Sequence, residues 1–98
     1  MVFEIVIEKR VEFEVENAFI YYKDISEKLG VKFVNEYQEK LTILKIFPFF
    51  QKRYLKIHVL PLKKFPYSIH FMIDDENKIV TIHALICNYQ NPEKTYLK

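Results

Sequence analysis

Residues 61–71, PLKKFPYSIHF, place two adjacent lysines between two prolines, with apolar residues on both sides. A proline has no backbone N–H to donate, so it does not belong in the middle of a central strand. Pro66 therefore predicts a reversal of the chain, and Pro61 is compatible with an edge strand or a bulge. The stretch indicates two strands joined by a turn, with Lys63 and Lys64 at the end of the first strand.

Alternation of apolar and polar residues extends this hairpin on both sides and recurs near the N-terminus. The turn-favouring residues of 74–78 join the last two strands. Strands are predicted at residues 2–8, 54–62, 67–73 and 79–87.

The sequence between the first two strands has the 3.6-residue period of amphipathic helices, with Val11, Val15 and Ala18 on one stripe. Ser26 offers an N-cap for a second helix, and Pro48 ends it. The sequence predicts an α+β fold in the order β-α-α-β-β-β, because two helices must cover one face of a small sheet. We expect a helical hairpin packed on one face of a mainly antiparallel four-stranded sheet.

The length of 98 residues predicts a single domain over 1–98. A single glycine, Gly30, excludes Gly-rich phosphate loops, and a single cysteine, Cys87, excludes an internal disulfide and a CxxC metal site. No run of about 18 apolar residues predicts a membrane span, and the charged N-terminus does not resemble a signal peptide. We expect a cytoplasmic protein without a metal or a cofactor.

Positive charge is concentrated in the second half of the chain. Residues 1–45 carry 7 Lys/Arg and 9 Asp/Glu, which gives a net charge of −2. Residues 46–98 carry 8 Lys/Arg and 4 Asp/Glu, which gives a net charge of +4. No acidic residue lies between Lys40 and Ile73. Such a surface attracts phosphate or an acidic partner, although a merely solvated basic face would give the same pattern.

The alternation of side chains along strands assigns residues to the two faces of the sheet. The side chains predicted to face the helices are Ile57, Val59, Tyr67, Ile69, Phe71, Ile73, Val80, Ile82, Ala84 and Ile86. The side chains predicted for the open face are Lys56, His58, Leu60, Leu62, Ser68, His70, Met72, Thr81, His83, Leu85 and Cys87. An exposed apolar patch rimmed by charge is typical of an interaction site. A three-histidine zinc site and acid–base histidines are the alternatives.

Several short motifs occur in a recognisable order. They are Ala18-x-x-Tyr21-Tyr22, Leu29-Gly30-x-x-Phe33, Lys63-Lys64-Phe65-Pro66-Tyr67-x-Ile69-His70-Phe71, Ile79-Val80 to Ile86, and Asn91-Pro92. With these motifs the sequence resembles the RelE/ParE superfamily of type II toxin–antitoxin toxins, especially the ParE-like plasmid-stabilisation proteins. The resemblance implies one cytoplasmic toxin domain that is neutralised by a cognate antitoxin.

Two departures from the family pattern bear on the activity. The ribonuclease branch begins its third strand with Tyr-Arg, whereas this chain has Tyr67-Ser68 and lacks that phosphate-binding cation. Cys87 and Gln90 stand where family members often have His and Arg. Through the helical hairpin and the Phe65-Pro66-Tyr67 motif the resemblance favours a ParE-like inhibitor of DNA gyrase, which needs a binding surface and no catalytic set, and the missing cation fits this interpretation. The altered residues Cys87 and Gln90 are also compatible with a relative that has lost its toxicity.

Two alternatives stay open: a RelE-like, ribosome-dependent mRNA endonuclease (an mRNA interferase), and a non-toxic relative that only binds a partner. RNA cleavage needs a base, an acid and cations for the developing phosphorane charge. The catalytic candidates for a ribonuclease are Lys56, His58, Lys63, His70 and Tyr89. The residues expected to contact the antitoxin or the target are Arg53, Lys56, Lys63, Lys64, Leu60, Leu62, Met72 and Leu85.

Overall fold

Two consecutive helices pack on one face of a five-stranded sheet in the computed structural model, which describes residues 2–50 and 52–88. The elements are β1 (Glu4–Ile7), α1 (Lys9–Ile25), α2 (Glu27–Ile46), β2 (Lys52–Tyr54), β3 (Ile57–Pro61), β4 (Tyr67–Asp74) and β5 (Ile79–Cys87). The predicted α+β architecture, a helical hairpin on a mainly antiparallel sheet, is confirmed. Among the described residues no helix is long and apolar enough to span a bilayer.

The strand order is β1-β5-β4-β3-β2, with β1 parallel to β5 and every other pair antiparallel. The parallel pair arises because the two helices carry the chain back across the sheet between these strands. The sheet has one strand more than predicted. The expected strand at 54–62 is divided by a turn at Leu55 and Lys56, where Leu55 has φ 46°.

The helical hairpin requires its one glycine. The backbone N–H of Ser26 donates to the carbonyl of Tyr22, which closes α1 just before α2 begins. A Cβ atom on Gly30 would lie 3.1 Å from the Cβ of Lys23 and 3.1 Å from a ring carbon of Phe19. Glycine therefore allows α1 and α2 to pack closely beside their connection.

The core lies between the helices and the sheet. Val11, Phe33 and Leu44 from the helices are fully buried, and so are Ile69 and Phe71 from β4. Two predictions are thus confirmed: the apolar stripe of the helices and the assignment of alternate apolar residues of β4 to the face under the helices. Both sets of side chains meet in one cluster. Burial of each large apolar side chain contributes about 1.5–3 kcal/mol.

Aromatic rings attach the turn of the opening motif to this core. The Phe65 ring lies 4.7 Å from the Tyr22 ring and 5.4 Å from the Phe33 ring, both edge to face. The Tyr67 ring lies 5.6 Å from Phe33. The predicted reversal at Pro66 is therefore held down by residues of both helices.

A β-bulge in β5 reverses the predicted faces at the end of that strand. Leu85 pairs with Ile69 and Ala84 with His70, but Phe71 pairs with Ile82, so His83 is the extra residue. Beyond the bulge Leu85 lies in the core, and Ala84 lies on the open face with His70. The predictions for Ala84, Leu85 and Ile86 are wrong, because strict alternation does not anticipate an inserted residue.

The faces of β3 are also the reverse of the prediction. His58 pairs with Phe71 and Leu60 with Ile69, so these residues lie on the helix-bearing face. Leu60 and Leu62 are core residues at 8% and 5% exposure. The predicted positions of His58, Leu60 and Leu62 on the open face, and of Ile57 and Val59 beneath the helices, are wrong. The turn at 55–56 sets the pairing of β3, and a register change of one residue exchanges the two faces.

Candidate functional site

A cleft of about 330 Å³ lies on the open face of the sheet. The strands β2, β3, β4 and β5 supply its walls, and the helices do not cover this side. Its lining residues are Arg53, Tyr54, Val59, Pro61, Ser68, His70, Ile86, Cys87 and Asn88.

His70 lies in this cleft and is only 5% exposed. Its Nδ1 lies 2.9 Å from the hydroxyl oxygen of Tyr54. Burial lowers the pKa of His70 to about 4, and the charges of His83, Arg53 and Arg10 act in the same direction. The imidazole is therefore neutral at pH 7 and is both a weak base and a poor source of protons.

The opposite wall of the cleft is polar and fixed by hydrogen bonds. The hydroxyl of Ser68 donates to the side-chain oxygen of Asn88 over 2.7 Å. The backbone N–H of Asn88 donates to the carbonyl of Pro66 over 2.6 Å. Ser68 is 6% exposed and Asn88 is exposed, so this pair joins the start of β4 to the residue after β5 at the edge of the cleft.

The other two histidines lie outside the cleft. The ring of His58 stacks on Phe71 at 5.6 Å, and its Nδ1 lies 2.6 Å from the carbonyl oxygen of Phe50. His83, at the bulge, has its Nδ1 3.1 Å from a carboxylate oxygen of Glu8. The three histidines therefore do not converge on one point, and residues 2–50 and 52–88 contain no cluster of three metal-ligating side chains.

A buried carboxylate holds the loop that carries the paired lysines. We name residues 62–66 the lysine loop. Glu36 of α2 is 5% exposed and accepts from the backbone N–H groups of Lys63 at 2.5 Å and Lys64 at 3.0 Å. The ammonium of Lys40 lies 3.5 Å from the same carboxylate. The backbone of the lysine loop is thus fixed while the side chains of Lys63 and Lys64 stay exposed.

The electrostatics of Glu36 follow from these contacts. Burial acts to raise its pKa, but the two backbone donors and Lys40 together lower the pKa below the ordinary value of 4.5. The carboxylate is therefore charged at neutral pH. The sequence contains one signal of this role, because Glu36 stands next to Tyr37 and three residues after Phe33, on the buried side of α2.

The structure brings few of the ribonuclease candidates together. Among the described members of that set, only His70 lines the cleft. Lys56 and Lys63 are exposed elsewhere, and His58 is on the other face of the sheet. Tyr89 lies outside the described residues.

The residues expected to contact the antitoxin or the target fall into two groups, one accessible to a partner and one buried in the core. Arg53 lines the cleft, Lys56, Lys63 and Lys64 are exposed, and Met72 is half-buried. The apolar residues of the predicted patch, Leu60, Leu62 and Leu85, are buried in the protein interior and offer no surface to a partner. Sequence analysis placed Ser68 correctly on the open face but missed Tyr54 and Asn88 as cleft residues, since their proximity depends on strand register.

Comparison with known proteins gives a match in structure but not in sequence. No protein-family model matches the chain, and no curated protein matches it. Among solved structures, a chain of the "Chromosomal ParDE TA system from P. aeruginosa" superposes with a TM-score of 0.75. The chain has a ParE-like fold. The match covers 88% of this chain and 96% of the other at 15% identity, which establishes a common fold. The RelE/ParE-like fold expected from the motifs is confirmed.

Proposed function

We propose that this chain is the toxin of a type II toxin–antitoxin pair and that it inhibits DNA gyrase by binding, as ParE-like toxins do. The ParE-like fold supports the assignment to this class, since the matched structure is described as a ParDE TA system. The order and spacing of the motifs in the sequence support the same class. We place its action in the cytoplasm, where gyrase and ribosomes are found.

The composition of the cleft favours binding over catalysis, and this observation carries the choice of target. Among the described lining residues Arg53 is the one lysine or arginine, and the pKa of His70 is about 4. RNA cleavage requires a competent base, an acid and several cations around one phosphate. The described residues of the cleft supply one cation and a poorly basic imidazole.

One observation favours the ribonuclease as the second candidate. Arg53, Tyr54, Ser68 and His70 line one cleft of about 330 Å³, a volume within the range of small-molecule sites. A ribonuclease built on this chain would therefore use Arg53 and Tyr54 with His70, in place of Lys56, His58 and Lys63. A toxin fold that only binds a partner is the third candidate.

Neutralisation by an antitoxin is part of the proposal. We expect an acidic, amphipathic segment whose carboxylates contact Lys56, Lys63 and Lys64. Its apolar anchors need exposed counterparts, which Leu60 and Leu62 do not provide. Phe13 and Ile20 are 58% and 43% exposed on α1 and are better candidates for that contact.

The test is expression of the chain without an antitoxin, with growth, plasmid supercoiling and message integrity followed together. We expect growth arrest, loss of supercoiling and intact messages. Rapid message cleavage at ribosomes would instead assign the ribonuclease, and normal growth would assign the silent binder. In the ribonuclease case Arg53→Ala should abolish cleavage.

A matched pair of charge reversals tests the binding surface. Lys63→Glu with Lys64→Glu should weaken both toxicity and antitoxin affinity. Lys28→Glu with Lys32→Glu, on the exposed side of α2, should change neither. Thermal unfolding of each variant separates loss of binding from loss of fold. Unchanged toxicity and affinity in the first variant would overturn the role of the lysine loop.

A further inference from the structure

An apolar side chain stands at the apex of the turn between β2 and β3. We name residues 52–56 the leucine turn. Tyr54 pairs with Ile57, so Leu55 and Lys56 alone reverse the chain. Leu55 has φ 46°, a left-handed conformation that glycine and asparagine adopt far more readily than a bulky residue. Its side chain is 88% exposed. The two-residue turn requires a positive φ at this position, but it does not require a leucine, and a side chain this exposed contributes no burial.

The base of the turn is firmly held. The hydroxyl of Tyr54 is hydrogen-bonded to His70, and Ile57 is 5% exposed. Both residues that flank the reversal are therefore tied to the sheet. Leu55 projects from a fixed base into solvent.

Three cations lie close to this apex in the sequence. Lys52, Arg53 and Lys56 are all exposed, and none of them takes part in an ion pair within the described ranges 2–50 and 52–88. Residues 41–73 contain no acidic residue that would compensate them. The charge of the leucine turn fits an anionic partner.

The chemistry of the apex favours nucleic acid over an acidic protein. Leucine is under-represented among the residues that dominate protein–protein binding energy. It is, however, one of the apolar side chains that proteins insert between base steps in the minor groove. Cations on both sides of such a wedge bind the phosphates.

We propose that the leucine turn binds double-stranded nucleic acid, with Leu55 as a wedge between bases and Lys52, Arg53 and Lys56 on phosphates. This inference is independent of the proposed function, because it requires neither toxicity nor an antitoxin. It concerns a protrusion of the edge of the sheet, and it shares one residue, Lys56, with the contact proposed for the antitoxin.

The first test measures phosphate contacts. The purified chain is titrated into a fluorescein-labelled DNA duplex of about two helical turns, and anisotropy is recorded from about 50 to 200 mM salt. Lys52→Ala with Lys56→Ala should reduce the slope of log affinity against log salt by about two. Lys28→Ala with Lys32→Ala removes the same charge from α2 and should leave the slope unchanged.

The second test separates binding from stability at Leu55. Leu55→Asn suits the left-handed conformation, so its thermal midpoint should equal or exceed that of the native chain. Its affinity for the duplex should nevertheless fall about tenfold, because the buried wedge is lost. If Leu55 had only a structural role, Leu55→Asn would lower the thermal midpoint and leave the affinity for the duplex unchanged.

Three results would overturn the proposal. The first is absence of duplex binding by the native chain at the lowest salt concentration. The second is native affinity in Leu55→Asn. The third is tighter binding of a fluorescent polyglutamate peptide than of the duplex, which would assign the leucine turn to an acidic protein.

Discussion

The lysine loop and the leucine turn are both basic reversals next to β3, but they are held in different ways. Glu36 accepts two backbone N–H groups of the lysine loop, and Phe65 of that loop is 7% exposed against the helices. The leucine turn is held at its foot, where Tyr54 pairs with Ile57 and its hydroxyl is hydrogen-bonded to His70. Its apex, Leu55, is 88% exposed.

This difference shows two ways in which a small protein presents positive charge. The lysine loop takes its shape from the helices that cover the sheet, so its geometry depends on tertiary packing. The leucine turn takes its shape from strand pairing and holds a residue in a disfavoured conformation. Substitutions should therefore affect stability strongly in the first region and weakly at the apex of the second.

The largest effect should come from Phe65. Phe65→Ala removes a ring packed against Tyr22 and Phe33 and should lower the free energy of unfolding by about 3–5 kcal/mol. Leu55→Ala, its counterpart in the leucine turn, should change that free energy by less than about 0.5 kcal/mol. Urea unfolding at pH 7 measures both. If the two variants lost the same free energy of unfolding, the lysine loop and the leucine turn would not differ in how they are held.

As the pH falls, the leucine turn should lose stability before the lysine loop does, at the point where Tyr54 and His70 join it to the sheet. The pKa of His70 is about 4 in the folded protein, whereas its ordinary value is 6.5, so the unfolded chain binds the additional proton. Stability should therefore decrease by about 3 kcal/mol as the pH falls from about 6.5 to 4. His70→Asn should show much less loss in this window, measured by urea unfolding at several pH values. A native curve that is flat between these pH values would contradict the burial of His70.

Loss of the carboxylate at Glu36 should have an intermediate effect. Glu36→Ala removes a buried carboxylate that accepts from two backbone N–H groups and should lower the free energy of unfolding by about 2 kcal/mol. Glu39→Ala, an exposed position on the same helix, should stay within about 0.5 kcal/mol.

The pH dependence of Glu36 sharpens this experiment. Because its pKa is lowered from 4.5, the stabilisation is complete above that value and is lost as the pH falls below it. The difference in stability between the native chain and Glu36→Gln should therefore shrink in acid. The two regions would then lose stability in different pH ranges.

The smallest effect should come from the apex. Leu55→Asn relieves part of the left-handed strain and should raise the free energy of unfolding by about 0.5–1 kcal/mol. Leu55→Val is the control, because a β-branched residue fits this conformation less well and should lower stability. A decrease in both variants would show that Leu55 contributes packing that its exposure does not suggest.

Much of the fold could be predicted because its signals are local. Three of these signals each depend on residues close together in the chain. They are the apolar stripe that includes Val11 and Ala18, the end of the second helix before Pro48, and the chain reversal at Pro66. These signals were sufficient for two helices, a mainly antiparallel sheet and the basic hairpin.

The candidate site was less predictable because it depends on register. The extra residue at His83 and the two-residue turn at 55–56 each change which side chains share a face. Leu60 and Leu85 therefore lie in the core, and Tyr54 lies next to His70. The contact of Glu36 with Lys63 joins residues 27 positions apart, and no local pattern specifies it.

The parallel pairing of β1 with β5 has a consequence for synthesis on the ribosome. Glu4 pairs with Ile79, so 75 residues separate the partners. At about 5–20 residues per second, β1 waits about 4–15 s for its neighbour to be translated. In the later part of that interval both helices have been translated but the sheet lacks β5, so the nascent chain is open to capture by chaperones or by a protein already present in the cell.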